Sequence, residues 1–181
     1  VDGLRVTDRD TMEIVEMVLG GKINGEIVSG INASGGNAIG ITGEDGCLIE
    51  ARPMDPDGIM GYVGEIVNIN PQIIETIIEN GYIPVVAPIG IDQEQAAYNI
   101  NADPVAAAIA VKMNADKLVL LTDVPGLLKN PQDSNTLISE LKVSEVEGYI
   151  QQGVIAGGMV PKVRCCVEAV IGGVRSEERR V

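Results

Sequence analysis

The chain has no tryptophan, no phenylalanine and no histidine, and four tyrosines are its only aromatic side chains. A core must therefore be built from Ile, Val, Leu, Met and Ala. Without histidine, a His-based nucleophilic triad and the common zinc sites are excluded. The three cysteines, Cys47, Cys165 and Cys166, are an odd set with one adjacent pair. That is neither a disulfide framework nor a metal-ligand spacing, so no metal site is expected, and it fits a reducing, cytoplasmic compartment. No apolar run is long enough to span a bilayer, and no signal peptide is visible. Cations are scarce: 13 Lys and Arg stand against 26 Asp and Glu, for a net charge of −13. Such a balance argues against nonspecific binding to nucleic acid or to an anionic membrane. If the protein handles anionic ligands, its few cations must be concentrated locally, which directs attention to Arg5 and Lys162.

What is present is a globular composition. Apolar residues make up 45% of 181 residues, enough for a domain with a proper core. The 22 glycines sit mostly at the ends of apolar runs, the texture of an α/β protein with tight strand-to-helix turns. Thr7 with Asp10 resembles a capping box, and the apolar spacing behind it predicts one long helix over 8–33. Gly20, Gly21, Gly25 and Gly30 weaken that helix, so close packing of another backbone or a kink is expected there. Strands are expected at 38–41, 47–52, 64–70, 83–89 and 117–121. Helices are expected from Asn70-Pro71 to Asn80-Gly81, over 102–114, 143–152 and 159–171. Alternation of this kind favours a parallel or mixed sheet covered on both faces. Both ends read as those of a fragment: the chain opens at Val1, and Ser176 to Val181 follows Gly172-Gly173, where another buried strand is due.

Four stretches are candidates for chemistry. In Tyr98 to Asp103, the residues Asn99, Asn101 and Asp103 alternate. If the segment is extended, all three side chains point one way and surround a polar ligand with donors and acceptors. The same residues also read as a turn ending in a helix, with Asp103 as N-cap and Pro104 in the first helical position. In Thr122-Asp123-Val124-Pro125-Gly126-Leu127, Pro125-Gly126 fits a type II turn, either a plain turn or the edge of a nucleotide site. In Gly157 to Lys162, Pro161 suits only a helix's first turn, which leaves Lys162 near the positive end of that helix. A bound phosphate would reverse the sign of that interaction; an exposed Lys on a capped helix is the alternative. Arg5, in Val1 to Thr7, lies before a helix start and suits either a bidentate grip on a carboxylate or a surface pair with Asp2 or Asp8.

Together and in this order, VDGLRVTDRDTMEIVEMVLGGKIN, GGNAIGITGEDGCLI, VGEIVNINPQIIETIIENGYIPVVAPIG, AYNINAD, KLVLLTDVPGLL, LISEL and GGMVPKV resemble the acetylglutamate kinases of the amino acid kinase family. The resemblance runs to about Arg175, so residues 1–175 are expected to be a partial amino acid kinase domain and 176–181 an atypical tail. It implies a three-layer α/β/α sandwich with a mostly parallel sheet, here incomplete. It also implies ATP-dependent phosphorylation, with Mg²⁺, of the side-chain carboxylate of N-acetyl-L-glutamate in arginine biosynthesis. On the matching positions, Arg5 grips the substrate's α-carboxylate, and Asn99 and Asn101 bind substrate. Asp103 orients catalytic lysines, and Lys162 stabilises the transferring phosphoryl group. Thr122, Asp123, Val124, Pro125, Gly126, Leu127, Leu128, Gly158 and Met159 form part of the nucleotide site. The family's Lys-x-Gly-Gly strand end and Gly-rich substrate loop have no counterpart in this sequence, so the 181 residues alone are expected to be inactive. Pro104 stands where Thr is expected, and Cys47 where Gly is. The resemblance further implies a homo-oligomer when complete. Two other readings are a module sensing arginine or the PII protein, as some relatives do, and a sister kinase with another acceptor.

Overall fold

A computed structural model of the chain describes residues 6–55, 57–122, 126–130 and 132–180. They group into two compact units, Val1–Val105 and Ala106–Val181.

The first unit opens with a continuous helical stretch in three parts: α1 (Arg9–Val15), a π-helical run (Glu16–Ile23) and α2 (Asn24–Ala33). The expected capping box at Thr7 and Asp10 does not form, and the cap lies one residue on. Asp8, in extended conformation, is the N-cap and accepts the Thr11 N–H at 2.8 Å. Thr7 is instead drawn into a β-bridge with Gly61. Of the helix's four glycines, a Cβ would meet a neighbour only at Gly20, 3.1 Å from Thr42 Cγ2. Wide π turns at Gly20-Gly21, rather than a sharp kink, absorb the other irregularity.

Behind the helix lies β1 (Ala38–Thr42), parallel to β4 (Ile83–Ala87) with Ala38 opposite Ile83. Asn24 of α2, almost fully buried, fastens the helix to both strands. Its Nδ2 donates to the carbonyls of Ile41 (3.2 Å) and Val85 (2.9 Å). A Cβ on Gly40 would overlap Asn24 Oδ1, so the contact requires glycine on the strand. β2 (Ile49–Pro53) pairs antiparallel with β3 (Gly64–Ile69) and parallel with β5 (Ile89–Ile91). β5 in turn pairs antiparallel with β6 (Ala97–Asn99). The single strand expected over 83–89 is two strands, because Pro88 has no N–H for the ladder and separates β4 from β5. α3 (Gln72–Glu79) buries Ile74 and Ile77 and stops at Asn80-Gly81, where the Tyr82 N–H returns to the Ile77 carbonyl. Leu48, Ile49 and Ile89 are fully buried in this unit.

α4 (Ala102–Lys112) leads into the second unit. There β7 (Lys117–Thr122) alternates exposed and buried residues and pairs parallel with β8 (Arg175–Arg180). A strand thus follows Gly172-Gly173, although its sequence, RSEERR, gives no apolar signal for one. α5 (Val143–Gln151) and α6 (Met159–Ile171) complete the unit. Ala107, Ala110, Leu118, Leu120, Cys165, Ala169 and Val174 form one core cluster. Val146, Ile155 and Val163 form a second.

Candidate functional site

The hairpin β5–β6 delivers Asn99 and then Asn101, and its turn is built around Asp92. The Asp92 carboxylate accepts the N–H groups of Glu94 (2.8 Å) and Ala96 (2.9 Å) and the Tyr98 hydroxyl (2.9 Å). Burial alone would push the Asp92 carboxyl up, but the bonds from Ala96, Tyr98 and Glu94 outweigh it and hold the group below its ordinary value. Burial and the bond to Asp92 push the Tyr98 phenol up to about 12. The Tyr98 ring also lies 6.2 Å from that of Tyr62.

The extended geometry expected for Asn99, Asn101 and Asp103 ends at Asn99. β6 stops there, and α4 begins at Ala102. The N-cap is Asn101, not Asp103: its Oδ1 accepts the Asp103 N–H at 3.0 Å and its carbonyl accepts the Val105 N–H at 3.4 Å. Asp103 falls in the helix's first turn and Pro104 in the third helical position, not the first. There the proline costs nothing, because the first N–H groups of a helix have no intrahelical partner. With Oδ1 engaged, the Asn101 side chain has its Nδ2 group to offer a ligand.

Asn99 is fixed from one side by the ladder to Ile89 and from the other by residues 61–63. Its N–H donates to the Tyr62 carbonyl at 2.8 Å, and its Nδ2 reaches Thr7 Oγ1 at 3.4 Å. Thr7, 1% exposed, is itself sewn to the same segment: its N–H donates to Met60 O (3.2 Å) and its carbonyl accepts from Tyr62 N–H (2.7 Å). Sequence reasoning missed Thr7, Asp92 and Tyr98 as supports of this site. Only the Thr7 position inside VDGLRVT hinted at one. Arg5 lies outside the described residues.

In the second unit, Thr122 closes β7 as a buried residue. Asp123, Val124 and Pro125 lie outside the described residues, so the type II turn does as well. Gly126 has φ +123°, Leu127 packs against the second core cluster, and Leu128 bridges Leu137 in antiparallel fashion. Gly126 and Leu127 also line a cavity of about 480 Å³ whose walls include Leu141, Val146, Val163 and Cys166. Gly158, Met159 and Lys162 do not line it. They start α6, where Gly158 is an N-cap without a side-chain bond and Pro161 stands in the first turn, as expected. The N–H groups of Met159 and Val160 make turn bonds of 3.2 Å to Ala156 and Gly157, so they are less open than a bare helix end. Lys162 is half-buried. Among the described residues no group of three His, Cys, Asp or Glu is arranged to hold a metal ion. None of their helices is long and apolar enough to cross a membrane.

The profile of the Amino acid kinase family matches residues 1–176. The chain is 72% identical over 174 residues to the acetylglutamate kinase of Syntrophomonas wolfei, covering 96% of this chain and 61% of that protein. It is 58% identical over 186 residues to the acetylglutamate kinase of Moorella thermoacetica, covering 97% of this chain and 62% of that one. The chain thus spans about three-fifths of the length of the curated relatives it matches. Among solved structures, smu.665 of Streptococcus mutans UA159 superposes with a TM-score of 0.88 at 31% identity, covering 99% of this chain and 74% of that one. N-acetylglutamate synthase of Neisseria gonorrhoeae, complexed with coenzyme A and N-acetyl-glutamate, gives 0.85 at 24% identity, covering 99% of this chain and 41% of that one. The latter likeness is one of fold alone.

Proposed function

The chain belongs to the amino acid kinase family, and on that premise we propose that it is the larger part of an ATP-dependent kinase acting on N-acetyl-L-glutamate in arginine biosynthesis. The observation that carries this reading is the 72% identity over nearly the whole chain to an acetylglutamate kinase. In the proposed reaction an oxygen of the acceptor's side-chain carboxylate attacks the γ-phosphorus of Mg²⁺-bound ATP. The bond from that phosphorus to the β–γ bridging oxygen breaks, ADP leaves, and an acyl phosphate forms. No protein atom need bond covalently to the phosphoryl group, so the residues act by positioning and by offsetting charge.

Arg5 is assigned to the acceptor's α-carboxylate, and Asn99 and Asn101 to its polar groups, Asn101 through Nδ2. Asp103 is assigned to orienting lysines around the phosphates, and Lys162 to the transferring phosphoryl group. Residues 122–128 with Gly158 and Met159 are assigned to the nucleotide. The acidity of the chain supports the weight placed on Lys162: acceptor and nucleotide are both anionic, and with a net charge of −13 the protein offers them few cations. The complete protein is proposed to be a cytoplasmic homo-oligomer. Ile14 and Met17, more than half exposed, and Ile27, nearly half exposed, on the helical stretch 9–33 support association.

The test is a version of this chain extended at both ends with the corresponding segments of the Syntrophomonas wolfei relative. It is expected to release ADP from Mg²⁺-ATP only when N-acetyl-L-glutamate is present. ADP release with aspartate, glutamate or carbamate instead would assign it to a sister kinase.

A further inference from the structure

We infer that Thr7 is a positioning residue that aims the Asn99 carboxamide at the acceptor; the inference rests on the acceptor role proposed for Asn99. Thr7 and Asn99 are 92 residues apart in sequence, yet the Asn99 Nδ2 group lies 3.4 Å from Thr7 Oγ1. A terminal carboxamide is free to rotate unless something holds it. β6 fixes only the Asn99 backbone, through Ile89 and through Tyr62 O.

Thr7 is suited to holding the side chain because its own place is over-determined. Its hydroxyl is buried, its N–H is tied to Met60 and its carbonyl to Tyr62. Gly61, at φ +62°, lets the two segments approach closely, and a Cβ there would overlap the Thr7 carbonyl oxygen. A buried hydroxyl needs a partner, and the Asn99 amide is at hand. Once one of the two Nδ2 hydrogens turns toward Thr7, the direction of Oδ1 and of the second hydrogen is set as well. Those are the two groups a polar acceptor would meet. A single long hydrogen bond is weak for stability. Its effect on orientation is larger, because a misdirected carboxamide presents a donor where the ligand needs an acceptor.

Thr7→Val keeps the shape and removes the hydroxyl; Thr7→Ser keeps the hydroxyl. In the extended enzyme, Thr7→Val is expected to raise KM for N-acetyl-L-glutamate by about 3- to 10-fold, leave KM for Mg²⁺-ATP within twofold, and recover in Thr7→Ser. Equal rises in both KM values, or no recovery in Thr7→Ser, would overturn the inference. If Thr7→Val does not fold by circular dichroism, Thr7→Ala takes its place. A second measurement needs no activity: the Asn99 side-chain amide signals of the ¹⁵N-labelled 181-residue chain, identified by their loss in Asn99→Asp. They are expected to move or broaden in Thr7→Val and return in Thr7→Ser, and unchanged signals would overturn the inference. An extended enzyme with no acetylglutamate-dependent ADP release would sink the proposed function instead, and the amide signals would still decide whether Thr7 holds Asn99.

Discussion

Two helices in this protein start almost alike and finish the start differently. α4 and α6 both carry proline at the third helical position, Pro104 and Pro161. The start of α4 is closed by its own chain: Asn101 caps it, and the acid Asp103 lies in the first turn, where the helix dipole favours a negative charge. The start of α6 has a glycine at the cap, no side-chain bond to it, no acid in the first turn, and Lys162 one residue after the proline. By the dipole alone, Lys162 is on the wrong end of its helix. The difference teaches where an anionic ligand would act. At α4 it would meet an acid and a filled cap, whereas at α6 it would meet a cation and a cap without a side-chain bond.

The largest expected effect sharpens that contrast. In the extended enzyme, Lys162→Ala should lower kcat by about 10²–10³-fold, the usual loss for a preorganised group facing transition-state charge. Stability should change by less than about 1 kcal/mol, because the residue is not in the core. A kcat within tenfold of the parent would remove α6 from the chemistry.

Next come the caps themselves. Asn101→Ala should cost about 1 kcal/mol in denaturant unfolding, since it orphans the Asp103 N–H. Gly158→Ala should stay within about 0.5 kcal/mol: its backbone has φ −64° and a Cβ there meets nothing within 4 Å. Equal losses at the two positions would break the comparison.

The smallest effect is a pH dependence on the α4 side. The Tyr98 phenol is raised to about 12, so the folded state favours its neutral form. That contribution is whole below the ordinary tyrosine value near 10 and is lost as pH climbs from there toward about 12. Asp92 is lowered, so its contribution is whole above the ordinary carboxylate value and fades on acidification below it. Melting curves from pH 8 to 11 should therefore fall less steeply at the alkaline end in Tyr98→Phe than in the parent. An identical fall would deny the bond its role.

Most of the elements were legible in the sequence because their apolar spacing is strong. The helices at 102–112, 143–151 and 159–171 and the strands at 38–42, 64–69 and 117–122 lie within two residues of expectation. The α/β class with mostly parallel pairing and the amino acid kinase fold are likewise borne out, incomplete relative to the relatives. Local competition was harder to read. Thr7 and Asp8 are both good caps, and only the distant bridge to Gly61 withdraws Thr7 from the task. Asn101 and Asp103 compete in the same way, and the side chain that reaches the N–H two residues on wins. The Thr7–Asn99 contact leaves no trace in sequence pattern, since no periodicity links residues 92 positions apart.

The π-helical run from Glu16 to Ile23 carries a consequence for how the chain tolerates insertion and deletion. A π turn closes its hydrogen bond over one residue more than an α turn. The eight residues of the run therefore wind through a smaller angle than eight α-helical ones would, and everything after them is rotated accordingly. Asn24, the first residue of α2, takes its heading from that winding, and it is this heading that brings Nδ2 to the Ile41 and Val85 carbonyls. The run acts as a vernier between α1 and α2. Deleting Gly21 would let the run tighten toward α geometry, where one residue fewer at a larger angle per residue keeps Asn24 near its heading, whereas a deletion within α2, which has no such slack, would turn everything after it.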